Sequence, residues 1–132
     1  MDRVFLDANV LFSAAWRPDG RVRRLWELRD VELLTSEYAF EEARRNLEGT
    51  ERLKTLARLL RTTTIVETHD VVIRLPAVAS CLPADDRPIL LAAITARATH
   101  LLTGNSRDFG PLLGQRVGGV TVLLPAEYLA RR

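Results

Sequence analysis

The 132-residue chain has one cysteine, Cys81. That excludes an intrachain disulfide and a multi-cysteine metal site, and it fits a reducing cytoplasm, the compartment expected here. No apolar run approaches the ~18 to 20 residues of a membrane span, so no membrane partner is expected. The opening MDRVFLD carries an acid at position 2 and leads straight into a patterned strand, so no signal peptide is expected. An excess of charge of one sign is missing too, with 19 basic against 17 acidic residues and a net +2. Lysine is nearly absent: Lys54 is one of those 19, and the other 18 are arginines. Arginine offers a planar fork that matches phosphate bidentately, which lysine does not. Genomic base composition also favours arginine codons, so this richness permits nucleic-acid binding without establishing it.

What is present is ordinary for a globular protein: 47% hydrophobic and 27% charged residues. The length predicts one domain over residues 1–132, with enough chain to bury most of a core. Short apolar segments alternate with helical patterns. Val4 to Leu6 reads as a buried strand, Val10 to Trp16 as helix-compatible, and Pro18-Asp19-Gly20 as a break. Arg21 to Arg29 places Val22, Leu25, Trp26 and Leu28 at helical spacing, and Val31 to Leu34 is a second strand. Ser36 is placed to cap a helix through about Leu47 with Glu37 in its first turn, and Thr50 to cap the next. Thr62 to Val66 is strand-like, and His69 to Pro83, with Val71 to Ile73 before two prolines, reads as mixed helix and loop. Pro88 suits the start of a helix over about Asp86 to Ala98. Leu101 to Thr103 is a strand, Arg107 to Leu113 a short helix, Val120 to Leu124 the last strand, and Pro125 opens a terminal helix. Such alternation predicts an α/β fold, a three-layer α/β/α sandwich with a mostly parallel central sheet.

Within this pattern VFLDANVLF, residues 4 to 12, places one carboxylate among strongly apolar neighbours. An isolated buried carboxylate is costly and neutralises or finds a partner. Parallel sheets bind ligands beyond the carboxyl ends of their strands, and Asp7 stands at one. Companion acids at comparable places are Glu41 and Glu42 in FEEARRNL, Asp85 and Asp86 in PADDRPILLAA, and Asp108 in LLTGNSRDFG. Each also has a plainer reading: helix caps for Asp85 or Asp86, solvated glutamates, a helical turn beginning at Asp108. Glu42, with Ala39 and Leu47 near its face, is the glutamate expected to turn inward.

The series VFLDANVLFSA, SEYAFEEARRNL, DDRPILLAAITARATHLLTGNSRDF and VTVLLPAEYL resembles the PIN domain ribonucleases, most of all the toxin components of bacterial toxin–antitoxin pairs. The resemblance covers almost the whole chain. It implies that Asp7, with Asn9 beside it, is the aspartate of the early D-x-N. It assigns the helical glutamate to Glu42 and the aspartate before an apolar helix to Asp86. The late T-G-[DN]-x-x-D-F segment falls on Thr103, Gly104, Asn105, Asp108 and Phe109. Many relatives carry an aspartate where this chain has Asn105; either Asp108 supplies the late acid, or this chain binds metal with one fewer carboxylate.

Converging carboxylates make physical sense only with a cation, because two of them ~4 Å apart repel by roughly 4 kcal/mol at an effective dielectric near 20. Oxygen-only ligands favour Mg²⁺ or Mn²⁺. The resemblance thus implies a metal-dependent endoribonuclease in which Asp7, Asp86 and Asp108 hold the metal and Glu42 binds a second ion or orients water. Thr103 and Asn105 would bond the scissile phosphate or fix a ligand. RNA, single-stranded or in a loop, is the implied substrate, with Arg44, Arg45, Arg87 and Arg107 at the rim and at most one of Arg44 and Arg45 facing the pocket. His69 and His100 read as structural. An antitoxin partner and a homodimer are also implied, with Trp16, Trp26, Leu25 and Leu28 either forming a face beyond the core or belonging to it. The rival function is a catalytically weak PIN-like module that binds RNA or protein.

Overall fold

The computed structural model describes residues 1–67 and 74–132. Six strands form one sheet in the order β3-β2-β1-β4-β6-β5. They are β1 (Asp2–Leu6), β2 (Val31–Ser36), β3 (Thr64–Val66), β4 (His100–Leu102), β5 (Arg116–Val117) and β6 (Val120–Leu123). All neighbours pair in parallel except β5 with β6. The helices are α1 (Ala8–Trp16), α2 (Glu37–Asn46), α3 (Thr50–Leu60), α4 (Arg87–Thr95) and α5 (Pro125–Ala130). This is the mostly parallel α/β architecture that the alternation predicts.

Strand β1 is central, and Val4, Phe5 and Leu6 are fully buried. A strand covered on both faces needs apolar side chains on both, so it reads as a continuous run instead of an alternation. From β1 the chain moves outward through β2 to β3, then crosses back to β4 on the other side of β1. Right-handed crossovers put α1, α2 and α3 on one face and α4 on the other, and α1 packs against both α2 and α3. The order therefore reverses between β1 and β4, opening a crevice at their carboxyl ends. Among the described residues no helix is long and apolar enough to cross a membrane.

Several boundaries differ from expectation for local reasons. Residues Arg21–Glu27 form a 3₁₀ segment instead of an α-helix, the tighter form that short connectors take. Its apolar side chains still turn inward. Leu25 is fully buried, Leu28 packs on the core, and the Trp26 indole N–H is shared by the Leu59 carbonyl and the Thr63 hydroxyl, each at 3.1 Å. The face that includes Leu25, Trp26 and Leu28 thus belongs to the core. Trp16 is the exception at 36% exposure.

Thr50 is the first residue of α3 and not its cap. Gly49 precedes it at φ +92, a left-handed turn that glycine makes without steric cost. Ser36 does cap α2, accepting from the Ala39 amide at 3.2 Å. Helix α4 stops before Ala98, because Arg97 takes φ +55. The helix expected over Arg107 to Leu113 contracts to a 3₁₀ turn at Gly110–Leu112. Strand β5 was not expected; Gly118 and Gly119, at φ +58 and +87, make the two-residue hairpin turn that joins it to β6. Of the stretch His69 to Pro83, Ala77–Cys81 is a 3₁₀ segment, whereas His69 and Val71 to Ile73 lie outside the described residues. His100 opens β4, at the end of the sheet opposite the crevice. Its ring meets the Tyr128 ring edge-on, and the Tyr128 hydroxyl donates to Asp2 at 2.6 Å.

Candidate metal centre

The crevice holds a cavity of about 470 Å³ lined by Asp7, Asn9, Phe12, Glu42, Asn46, Asp86 and Asn105, with Ala8 and Ala43 between them. Four separate segments supply it. Asp7 leaves the end of β1, Glu42 projects from α2, Asp86 precedes α4, and Asn105 follows β4.

Asp7 is 3% exposed and lies where a strand becomes a helix. One carboxylate oxygen, Oδ1, accepts from the Ala8 amide at 2.6 Å. The other accepts from the Thr103 hydroxyl at 2.8 Å and from Asn9 Nδ2 at 3.3 Å. Burial pushes the Asp7 carboxyl above its usual range, and the charge of Glu42 adds to that, against the pull of those hydrogen bonds. The acid is held in place but not neutralised. Thr103 itself is fully buried and also accepts from the Asn105 amide at 3.1 Å. Its hydroxyl is spent on positioning. Asn9 Oδ1 accepts from the Gly104 amide at 2.6 Å, and a Cβ on Gly104 would meet that oxygen at 3.2 Å. The small residue is needed for this close approach.

Asp86 makes no capping hydrogen bond, and its backbone is already helical at φ −95 and ψ −16, so the simple helix-cap reading does not account for it. Burial, a hydrogen bond with Asp108 and the charges of Asp108, Asp7 and Glu42 push its carboxyl up to about 7. Asp108 moves the other way. Asn105 Nδ2 donates to it at 2.9 Å, the Asp86 bond adds to that, and Arg107 lies near, so its carboxyl is held below the usual range. Asn105 also accepts from the Asp108 amide at 3.1 Å. The asparagine that stands where many relatives have an acid thus fixes the acid that follows.

The paired alternatives separate in the structure. Glu42 faces the cavity while Glu41 pairs with Arg44 at 2.7 Å on the exposed side of α2. Asp86 faces the cavity while Asp85 is exposed, its carbonyl accepting from the Tyr38 hydroxyl at 2.8 Å. Of the four arginines, Arg44 is occupied by Glu41. Arg87 turns to the carbonyls of Leu82 and Ser80, beside a separate depression. Arg45 donates to the Glu41 carbonyl at 3.3 Å with its charge felt at Tyr38, and the charge of Arg107 is felt at Asp108; neither lines the cavity. Phe12 and Asn46 escaped the sequence reading. Their signal was positional, since each stands four residues after a cavity residue, Ala8 or Glu42, on the same helix face.

The donor set suits a hard divalent cation: carboxylate and carboxamide oxygens, with no thiolate or imidazole. Among the described residues no three acidic, thiol or imidazole groups stand close enough to form a ready-made ligand set. Mg²⁺ does not require one, because it keeps several waters and binds through one or two carboxylates. The residues therefore fit a hydrated ion better than a closed protein cage.

A family model described as the PIN domain matches residues 3–107. In structure the chain is similar to VapBC-1 from nontypeable Haemophilus influenzae, with a TM-score of 0.61 and 12% identity, over 94% of this chain and 98% of that one. It is also similar to FitAB bound to an IR36 DNA fragment, with a TM-score of 0.51 and 20% identity, over 92% and 94%. At these identities the likeness carries the fold. No curated protein sequence matches.

Proposed function

The chain belongs to the PIN domain family, and on that premise we propose that it is a Mg²⁺- or Mn²⁺-dependent endoribonuclease, the toxin of a toxin–antitoxin pair acting in the cytoplasm. PIN domains are in general nucleases that use a divalent metal. The observation that carries the finer reading is the gathering of Asp7, Glu42 and Asp86 around one cavity, with Asp108 close enough to Asp86 to shift its carboxyl. Among the described residues no cation pairs with Asp7, and its burial disfavours its charge, so the acids favour function over stability.

In this reading Asp7, Asp86 and Asp108 hold the ion directly or through water, and Glu42 holds a second ion or orients the attacking water. When bound, the ion supplies a water of lowered pKa and stabilises charge on the phosphodiester as it is cleaved. Thr103 fixes Asp7, and Asn105 fixes Asp108. Asn9, tied to Asp7, Thr103 and Gly104, keeps the crevice at its working width. Arg45 and Arg107 meet the RNA backbone. The antitoxin follows from the resemblance to toxin components and from neighbours described as VapBC-1 and FitAB. A homodimer completes the reading, and sedimentation of the purified chain tests it.

The test of the activity is cleavage of single-stranded RNA by the wild type in Mg²⁺ or Mn²⁺, against the same protein in EDTA and against Asp7→Asn. Cleavage that persists in either control refutes the assignment.

A further inference from the structure

The acids occupy only part of the cavity. At about 470 Å³ it falls within the ~300 to 1,000 Å³ of small-molecule sites, more than a hydrated ion requires. The remaining lining is neutral: Phe12, Ala8 and Ala43, with the carboxamides of Asn9, Asn46 and Asn105. Phe12 is also braced. Its ring stacks on Trp16 with centroids 5.4 Å apart and planes 17° apart. The far end of this stack is closed by the Arg52 guanidinium, 3.4 Å from the centroid of the Trp16 ring. Glu51, next to Arg52, pairs with Lys54 instead. Phe12 thus lines the acidic cavity on a ring braced by Trp16, which Arg52 covers in turn.

We propose that Phe12 is a base-stacking platform: the nucleotide next to the scissile phosphate places its base on this ring while the phosphate meets the acids. This rests on the ribonuclease reading and adds the form of substrate it takes. Acids repel phosphates, so an acidic cavity needs a neutral source of affinity. A purine or pyrimidine has a π-face and no charge, and base–aromatic stacking tolerates any sequence. The ring can be reached only by a base that has left its own stack, so the platform selects single-stranded or looped RNA over duplex. Asn46 stands at the edge of that base. Its Nδ2 is committed to the Glu42 carbonyl at 2.9 Å, which leaves the amide oxygen for an exocyclic amine. Trp16 and Arg52 act as positioning residues that hold the Phe12 ring.

The test is a cycle between protein and RNA, measured by fluorescence anisotropy in Mg²⁺ in the Asp7→Asn background. The strands are short labelled homopolymers of U, A or C and a matching strand whose interior sugars carry no bases. Phe12→Leu keeps an apolar side chain and removes the π-face. It should weaken binding of the base-bearing strands roughly 5- to 100-fold, the range of one lost stacking contact, and leave the abasic strand unaffected. Trp16→Leu should cause a smaller loss with the same selectivity, because the ring remains but its brace is gone. Thermal melts of both variants establish that they fold. Equal loss on abasic and base-bearing strands overturns the proposal. So does no loss at all, an outcome that would give the aromatic pair to a protein partner. Cleavage by the wild type is scored separately, so its absence counts against the nuclease reading while the binding cycle still decides the platform.

Discussion

Replacing Asp7 by asparagine should stabilise the metal-free protein while abolishing its response to metal. The sign comes from burial. Asp7 is 3% exposed, and its carboxyl is pushed above its usual range by that burial and by the charge of Glu42. A carboxyl with a raised folded pKa favours the native state when protonated, so the charge it carries once ionised works against folding. Asparagine is a neutral isostere. Its Oδ1 still accepts from the Ala8 amide, and its Nδ2 donates to a Thr103 hydroxyl that rotates to accept. The bonds to the carboxylate at 2.6 and 2.8 Å each lose about 1 kcal/mol of charge assistance, and the 3.3 Å bond from Asn9 Nδ2 is lost because it would meet another N–H donor. Against that, the effective penalty for one buried ion is several kcal/mol. The net gain is ~1 to 2 kcal/mol, or ~3 to 10 °C in Tm for a chain of this size. Melts in EDTA at pH 7.5 measure it, and parallel melts in Mg²⁺ or Mn²⁺ should stabilise the wild type alone. A variant that melts below the wild type in EDTA, or that keeps the metal shift, refutes the reasoning.

Three further outcomes follow from the same geometry. Glu42→Gln should abolish RNA cleavage while Glu41→Gln leaves cleavage and Tm unchanged, because Glu41 only meets Arg44 at the surface; kinetics and melts of the two variants check this. Gly104→Ala should cut Mn²⁺ affinity about tenfold, the lower end of losses seen when the support of a ligand is disturbed, because its Cβ would press on Asn9 at 3.2 Å; calorimetric titration reads it. In EDTA, stability should fall as pH rises from about 4 to 7, since the folded state keeps the proton of Asp86, pushed up to about 7, longer than the unfolded chain does. Asp86→Asn should flatten that slope, whereas the depressed Asp108 carboxyl contributes only below its usual range, where its stabilisation is lost on acidification.

The acids were legible because charge next to apolar sequence is anomalous. Asp7 interrupts a run in which Val4, Phe5, Leu6, Val10 and Leu11 are buried, and Glu42 adjoins Ala43, which is buried on the same helix. The choice between Glu41 and Glu42 depended on helix phase, a property of spacing. The neutral part of the site was not legible in this way. Phe12 in an apolar helix looks like core, and only its placement at the crevice with Trp16 behind it marks it as different. Arginine pairing was equally hidden. Nothing in the sequence sends Arg87 to the Leu82 carbonyl, since that bond depends on how Ala77–Cys81 folds back toward α4. In the fold, the buried strands were visible as apolar runs. The short β5 was missed although the Gly118-Gly119 pair between two valines is a hairpin signal.

The topology also bears on when this protein can first act. Asp7 leaves the ribosome well before its hydroxyl partner Thr103, which is held by a backbone bond from its own amide to the Leu123 carbonyl on β6. The 116 residues from Ala8 through Leu123 take roughly 6 to 23 s to add at ~5 to 20 residues per second. Throughout that interval the nascent chain carries Asp7 without the strand that orients it. On the proposed ribonuclease reading, the reactive centre thus stays incomplete beside messenger and ribosomal RNA until β6 has been made, and a partner has that same interval to arrive.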